Sequence, residues 1–156
     1  TELRQANIPF DENMEVGMMI EIPSAVAIAD QLAAEVDFFS IGSNDLSQYI
    51  TAADRTNPRV AKLADGLHPA VLKMINQTIQ AAHQAGIWVG LCGELACDPQ
   101  AIPILVGLGI DEISLNPHAI PKIKQAIAQL TFTEAEAIAQ AALKLDSSEC
   151  VRMLVS

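Results

Sequence analysis

Four short apolar runs punctuate the chain, and between them apolar residues recur at helical spacing. Residues 16–21 read Val-Gly-Met-Met-Ile-Glu, 38–41 Phe-Phe-Ser-Ile, 87–91 Ile-Trp-Val-Gly-Leu and 113–115 Ile-Ser-Leu. All four read as strands, and over residues 16–21 continuous apolarity, rather than alternation, predicts a strand covered on both faces. Pro23 and Ser24 open a predicted helix to about residue 34, with Val26, Ile28, Ala29 and Leu32 on its buried side. A short helix is expected over 46–53, interrupted at 54–58, and residues 59–67 read as helix and then loop. Pro69 opens the clearest amphipathic helix, where Leu72, Ile75, Ile79 and Ala82 share a face and Gly86 closes it. Asp98 and Pro99 are expected to start the next helix, ending at Gly107 or Gly109. A helix over 121–130 follows. Thr133 and Glu136 then form a capping box before a helix over 137–145, and Asp146 with Glu149 repeats the device before a last helix. At the start, residues 1–6 read as the tail of a helix and 10–15 as a surface loop.

Strand, helix, strand in this rhythm predicts an α/β fold with about four parallel strands and outer helices. No dinucleotide-type glycine fingerprint accompanies the first turn, which favours a barrel over an open nucleotide-binding sheet. Four strands do not close a barrel, and the usual (β/α)8 form needs about 250 residues. The 156 residues therefore imply an open sheet or an incomplete barrel.

Composition narrows the function more than the fold. A hydrophobic content of 51% supplies a core, and Ala, Ile and Leu suit helices over a parallel sheet. Nineteen acidic against nine basic residues leave a formal charge of −10, which argues against nucleic acid or an anionic membrane as partner. An anionic small molecule is still allowed, because a bound divalent cation reverses the local field. Cys92, Cys97 and Cys150 have neither disulfide-framework nor zinc-site spacing and suit a reducing cytoplasm. No apolar run reaches membrane-spanning length. The start at Thr1 rather than Met suggests processing or a piece of a longer protein.

The candidate chemistry lies where strands end, because crevices form there in α/β folds. Glu21 closes an apolar strand, where an unpaired carboxylate is costly, so it is neutralised, paired or bound to a cation; the alternative is a solvated cap on the next helix. Asn44 and Asp45 follow the second strand; Asp45 reads as a second carboxylate ligand or a helix cap, and Asn44 as a turn residue with a left-handed backbone. Two carboxylates among oxygen donors suit magnesium or manganese rather than zinc. Cys92 stands between Gly90 and Gly93, either as a packed thiol or as a general acid with room for a ligand. Arg55 is near enough to reach back to a phosphate, or it pairs with Asp54 or Asp65. His68 reads as a helix-start residue and His83 as a helix-surface one. Neither has the neighbours of a catalytic triad.

These residues also carry a family likeness. Gly17-Met-Met-Ile-Glu-Ile-Pro-Ser-Ala25, Asp37-Phe-Phe-Ser-Ile-Gly-Ser-Asn-Asp-Leu-Ser-Gln-Tyr49, Ala53-Asp-Arg55, Gly90-Leu-Cys-Gly-Glu-Leu-Ala96 and Gly107-Leu-Gly-Ile-Asp-Glu-Ile-Ser-Leu115 resemble the C-terminal domain of phosphoenolpyruvate-protein phosphotransferase. That is Enzyme I of the bacterial sugar phosphotransferase system, a phosphoenolpyruvate-utilising enzyme. The resemblance implies the C-terminal part of a TIM (β/α)8 barrel across residues 1–156, with earlier barrel strands and a phosphohistidine domain upstream. It further implies that Glu21 and Asp45 hold Mg²⁺ (or Mn²⁺), that Asn44 contacts phosphoenolpyruvate, that Arg55 clamps its phosphoryl group and that Cys92 protonates the enolate to give pyruvate. The phosphoryl group would pass to the enzyme's own histidine and then to the carrier HPr. A cytoplasmic homodimer is the expected setting, and these residues alone are expected to be inactive. A pyruvate phosphate dikinase or phosphoenolpyruvate synthase segment, or a non-catalytic dimerisation module, are the alternatives.

Overall fold

The computed structural model describes residues 2–156. The expectation of a helix over residues 1–6 therefore lies outside the described residues at Thr1; the rest of it appears as α1 (Glu2–Gln5), ended by Asn7 at φ 52°. Four parallel strands follow, β1 (Gly17–Ile20), β2 (Phe38–Gly42), β3 (Trp88–Cys92) and β4 (Glu112–Ile113), paired in chain order. Sequential parallel pairing, with a helical crossover at each step, is how a (β/α) barrel is built.

Register sorts the strand residues into two faces. Ile20, Ile41, Leu91 and Ile113 align across the sheet, and Phe39 pairs with Val89 one step earlier on the same face. These residues form the core with Leu72, Ile75 and Ile79 of α5 (Pro69–Ala85). His68 caps α5 by accepting the Ala70 N–H on Nδ1, and Gly86 ends it at φ 77°, as the spacing predicts. The other face carries Met19, Ser40, Gly90 and Glu112 at one level and the stacked rings of Phe38 and Trp88 below, 4.2 Å apart. Met19 is 46% exposed, so β1 is not covered on both faces. Its apolarity serves two environments, the helical layer and a face with no cover from the described residues.

Several helices differ from expectation for local reasons. The crossover after β1 is two short helices, α2 (Pro23–Ala27) and α3 (Ala29–Leu32), broken at Ile28 with φ −121° and ψ 24°. The break keeps Val26 and Ala29 in the core but turns Ile28 outward, correcting its assignment to the buried side. A β-branched residue gives up little helix stability at such a break. The helix α4 (Ser43–Thr51) starts immediately after Gly42, three residues earlier than predicted. The helix after β3, α6 (Ile102–Leu108), does not start at Asp98 and Pro99; Asp98 Oδ1 instead accepts the Gln100 N–H in a turn. Pro103 sits in the first helical positions, where its missing N–H is not needed.

The C-terminal layer consists of α7 (Ile120–Ala128), α8 (Phe132–Ala142) and α9 (Ser148–Leu154). Two overlapping Thr-x-x-Glu phases precede α8. The structure uses Thr131 with Glu134, not Thr133 with Glu136, and buries Ala135, Ala139 and Ala142 as a stripe along the helix. Gly107 of α6 meets this stripe so closely that a Cβ there would overlap the Ala135 carbonyl. Ser147, not Asp146, caps α9 by accepting the Cys150 N–H.

Candidate active site

Three strand ends meet at one level. Ile20 pairs with Ile41, and Gly42 with Cys92, so Glu21, Gly42 and Cys92 stand side by side on the face away from the helices. Glu21 is half-buried and folds over Gly42: a Cβ on Gly42 would lie 2.9 Å from Glu21 Oε2. Glycine there leaves the carboxylate its place above the sheet. Among the described residues Glu21 enters no ion pair, so its charge stays available to a cation.

The early start of α4 places Asn44 and Asp45 in its first turn, rather than in a loop or a left-handed turn. Ser43 donates its hydroxyl to the Cys92 carbonyl at 2.6 Å, and Ser47 donates to the Ser43 carbonyl at 2.7 Å. Asn44 Oδ1 accepts the Glu94 N–H at 2.9 Å, which aligns the amide and leaves its NH₂ donors for another partner. These bonds tie the end of β2 to the end of β3. Gly93 allows the closure: its φ is 102°, and a Cβ there would overlap Ser43 Oγ and lie 2.8 Å from Asn44 Oδ1.

Arg55 returns to this end of the sheet through a left-handed residue, Ala52 at φ 51°, which turns the chain out of α4. Its backbone N–H donates to Gln48 Oε1 at 3.0 Å, and its Nη2 lies 3.5 Å from Asp45 Oδ1. Neither alternative partner holds it. Asp54 is engaged by Thr56, whose hydroxyl first and backbone N–H second keep that carboxyl below its ordinary range; Asp65 is taken by Arg152. The Asp45–Arg55 pair is partly exposed and weakly held, about 0–1 kcal/mol, so a bound anion can readily recruit the guanidinium.

Register sets Glu21 level with Gly42 and Cys92, a hydrogen bond ties Asn44 to the end of β3, and an ion pair joins Asp45 in the first turn of α4 to Arg55. Cys92 is half-buried, while Cys97 lines a hollow of about 390 Å³ beside Asn44, with Ser114 and Asn116. Cys150 lies in α9. Among the described residues no group of three or more His, Cys, Asp and Glu side chains gathers as a metal cluster. Glu21 and Asp45 are the carboxylates that could hold a hard cation such as Mg²⁺, which commonly takes only one or two protein carboxylates. Sequence reasoning missed Ser43, whose position between Gly42 and Asn44 at a helix start was its only signal. It also missed Arg152, which has no local signal.

The fold is a four-stranded parallel α/β segment consistent with part of a (β/α) barrel, with carboxylate, amide and thiol side chains at the C-terminal ends of its strands. The family model for the PEP-binding domain of PEP-utilising enzymes matches residues 1–132, and the chain belongs to that family. It is 47% identical over 154 residues to a phosphoenolpyruvate-protein phosphotransferase of Buchnera aphidicola, covering 99% of this chain and 27% of the relative. A protein of the same name from Priestia megaterium is 50% identical over 148 residues, covering 95% of this chain and 26% of the relative. Multiphosphoryl transfer protein 2 of Escherichia coli is 44% identical over 155 residues, covering 99% and 19%. The chain thus spans about a quarter or less of the length of these relatives. Among the described residues no helix is long and apolar enough to cross a membrane.

Proposed function

We propose that these residues form the phosphoenolpyruvate-binding segment of a phosphoenolpyruvate-protein phosphotransferase that acts through HPr. The observation that carries this reading is the shared level of Glu21, Gly42 and Cys92, with Asn44, Asp45 and Arg55 bound into the adjoining turn. Glu21 and Asp45 are the carboxylates that hold Mg²⁺ or Mn²⁺. The cation, when bound, neutralises charge on the phosphoryl and enolate oxygens. The Asn44 amide donates to the substrate, and Arg55 leaves Asp45 to fork onto phosphoryl oxygens. As the phosphoryl group departs to the histidine of an upstream domain, the Cys92 thiol gives its proton to the enolate methylene carbon. That step yields pyruvate and removes the nucleophile that would recapture the phosphoryl group. The thiolate is then reprotonated from solvent. The remaining barrel strands and the phosphohistidine domain lie outside residues 1–156, and a cytoplasmic homodimer is the working form.

Calorimetry on the full-length protein containing these residues tests the reading. Mg²⁺-dependent binding of an unreactive phosphoenolpyruvate analogue is expected, with Glu21→Gln lowering its affinity at least about tenfold. Equal binding by wild type and Glu21→Gln, or binding indifferent to Mg²⁺, would sink the metal assignment. No binding by wild type would sink the whole reading.

A further inference from the structure

Arg152 lies in α9, beyond the 1–132 span of the family match, yet it joins two segments that flank the site. Its Nε and Nη2 donate to Asp65 Oδ2 and Oδ1 at 3.3 and 2.9 Å. Its Nη1 donates to Asp98 Oδ2 at 3.2 Å and to Gln100 Oε1 at 2.9 Å. One planar fork therefore reaches in two directions, a geometry that a lysine ammonium reproduces only in part. Both carboxylates also close their own turns, Asp65 on the Leu67 N–H and Asp98 on the Gln100 N–H. Burial works against the charge of the guanidinium, but the hydrogen bonds and charges of Asp65 and Asp98 outweigh it and raise the pKa.

Each turn leads directly to a site group. From Asp65 the chain runs back through a 3₁₀ turn, Ala61–Leu63, and the turn bonds of Asn57 and Asp54 to Arg55. From Asp98 it runs back through a second 3₁₀ turn, Glu94–Cys97, to the Glu94 N–H that holds Asn44. A polar cavity of about 320 Å³ lies between them, with Asn44, Ser47, Lys62 and Arg152 in its walls. Leu95 packs against the Gly66 position across the same junction, an apolar contact that lacks the directionality of the fork. We propose that Arg152 is a positioning residue, setting the Arg55 segment against the Asn44 segment for phosphoenolpyruvate binding. This rests on the function proposed above.

Steady-state kinetics of phosphoenolpyruvate-dependent HPr phosphorylation by the full-length protein test it. Arg152→Ala is expected to raise the KM for phosphoenolpyruvate about tenfold with little change in kcat, and Arg152→Lys to fall between. Amide hydrogen exchange in Arg152→Lys should accelerate in residues 54–66 and 93–100 while α5 stays protected. An unchanged KM in a folded Arg152→Ala would overturn the proposal; should that variant not fold, an unchanged KM in Arg152→Lys does the same. A wild-type protein without turnover overturns the functional reading and this proposal together, whereas turnover with unaltered KM overturns this one alone.

Discussion

Gly93 illustrates how one residue sets the spacing of a site. Its position holds the Ser43 hydroxyl and the Asn44 amide against the end of β3, with no space for a methyl group. Gly93→Ala is expected to lower affinity for a phosphoenolpyruvate analogue at least about tenfold, and to cost about 1–3 kcal/mol in urea unfolding, from overpacking and the unfavourable φ. Wild-type affinity in that variant would mean that Asn44 does not depend on the closure. The candidate residues are legible in the amino-acid order, because Glu21 closes an apolar run, Asn44 and Asp45 follow the next one, and Gly90 and Gly93 bracket Cys92. The groups that hold them are not. Ser43 reaches a carbonyl 49 residues away and Arg152 reaches Asp65 across 87 residues, and neither separation leaves a local pattern.

At the scale of elements, α6 approaches α8 so closely that no Cβ fits at Gly107. Gly107→Ala would push a methyl group into the Ala135 carbonyl, and two helical backbones cannot move apart without opening the alanine stripe. A loss of about 1–3 kcal/mol or more in denaturant unfolding is expected, against a change near zero if the helices simply slide. The strands and α5 are legible because an apolar run or an amphipathic stripe marks each of them. Boundaries decided by packing are not. Two Thr-x-x-Glu phases before α8 are equivalent in the sequence, and the break at Ile28 carries no glycine or proline to mark it.

For the whole molecule, β1 and β4 each pair on only one side, and the sheet face bearing Met19, Phe38 and Trp88 is not covered by any described helix. Unpaired edges and apolar faces of this kind drive association. Light scattering on the 156-residue polypeptide is therefore expected to give a mass of two or more copies; a monodisperse monomer at high concentration would count against it. The same face contains an optical gauge. Trp88 is the chain's single indole, half-buried on Phe38 with its N–H 3.3 Å from Glu15 Oε2, and it begins the strand that Cys92 ends. At about 3.3 Å of rise per residue, some 13 Å separate its indole from the Cys92 end of the strand. Blue-shifted emission would register the covering of the sheet face by another surface without disturbing the chemistry at the opposite end.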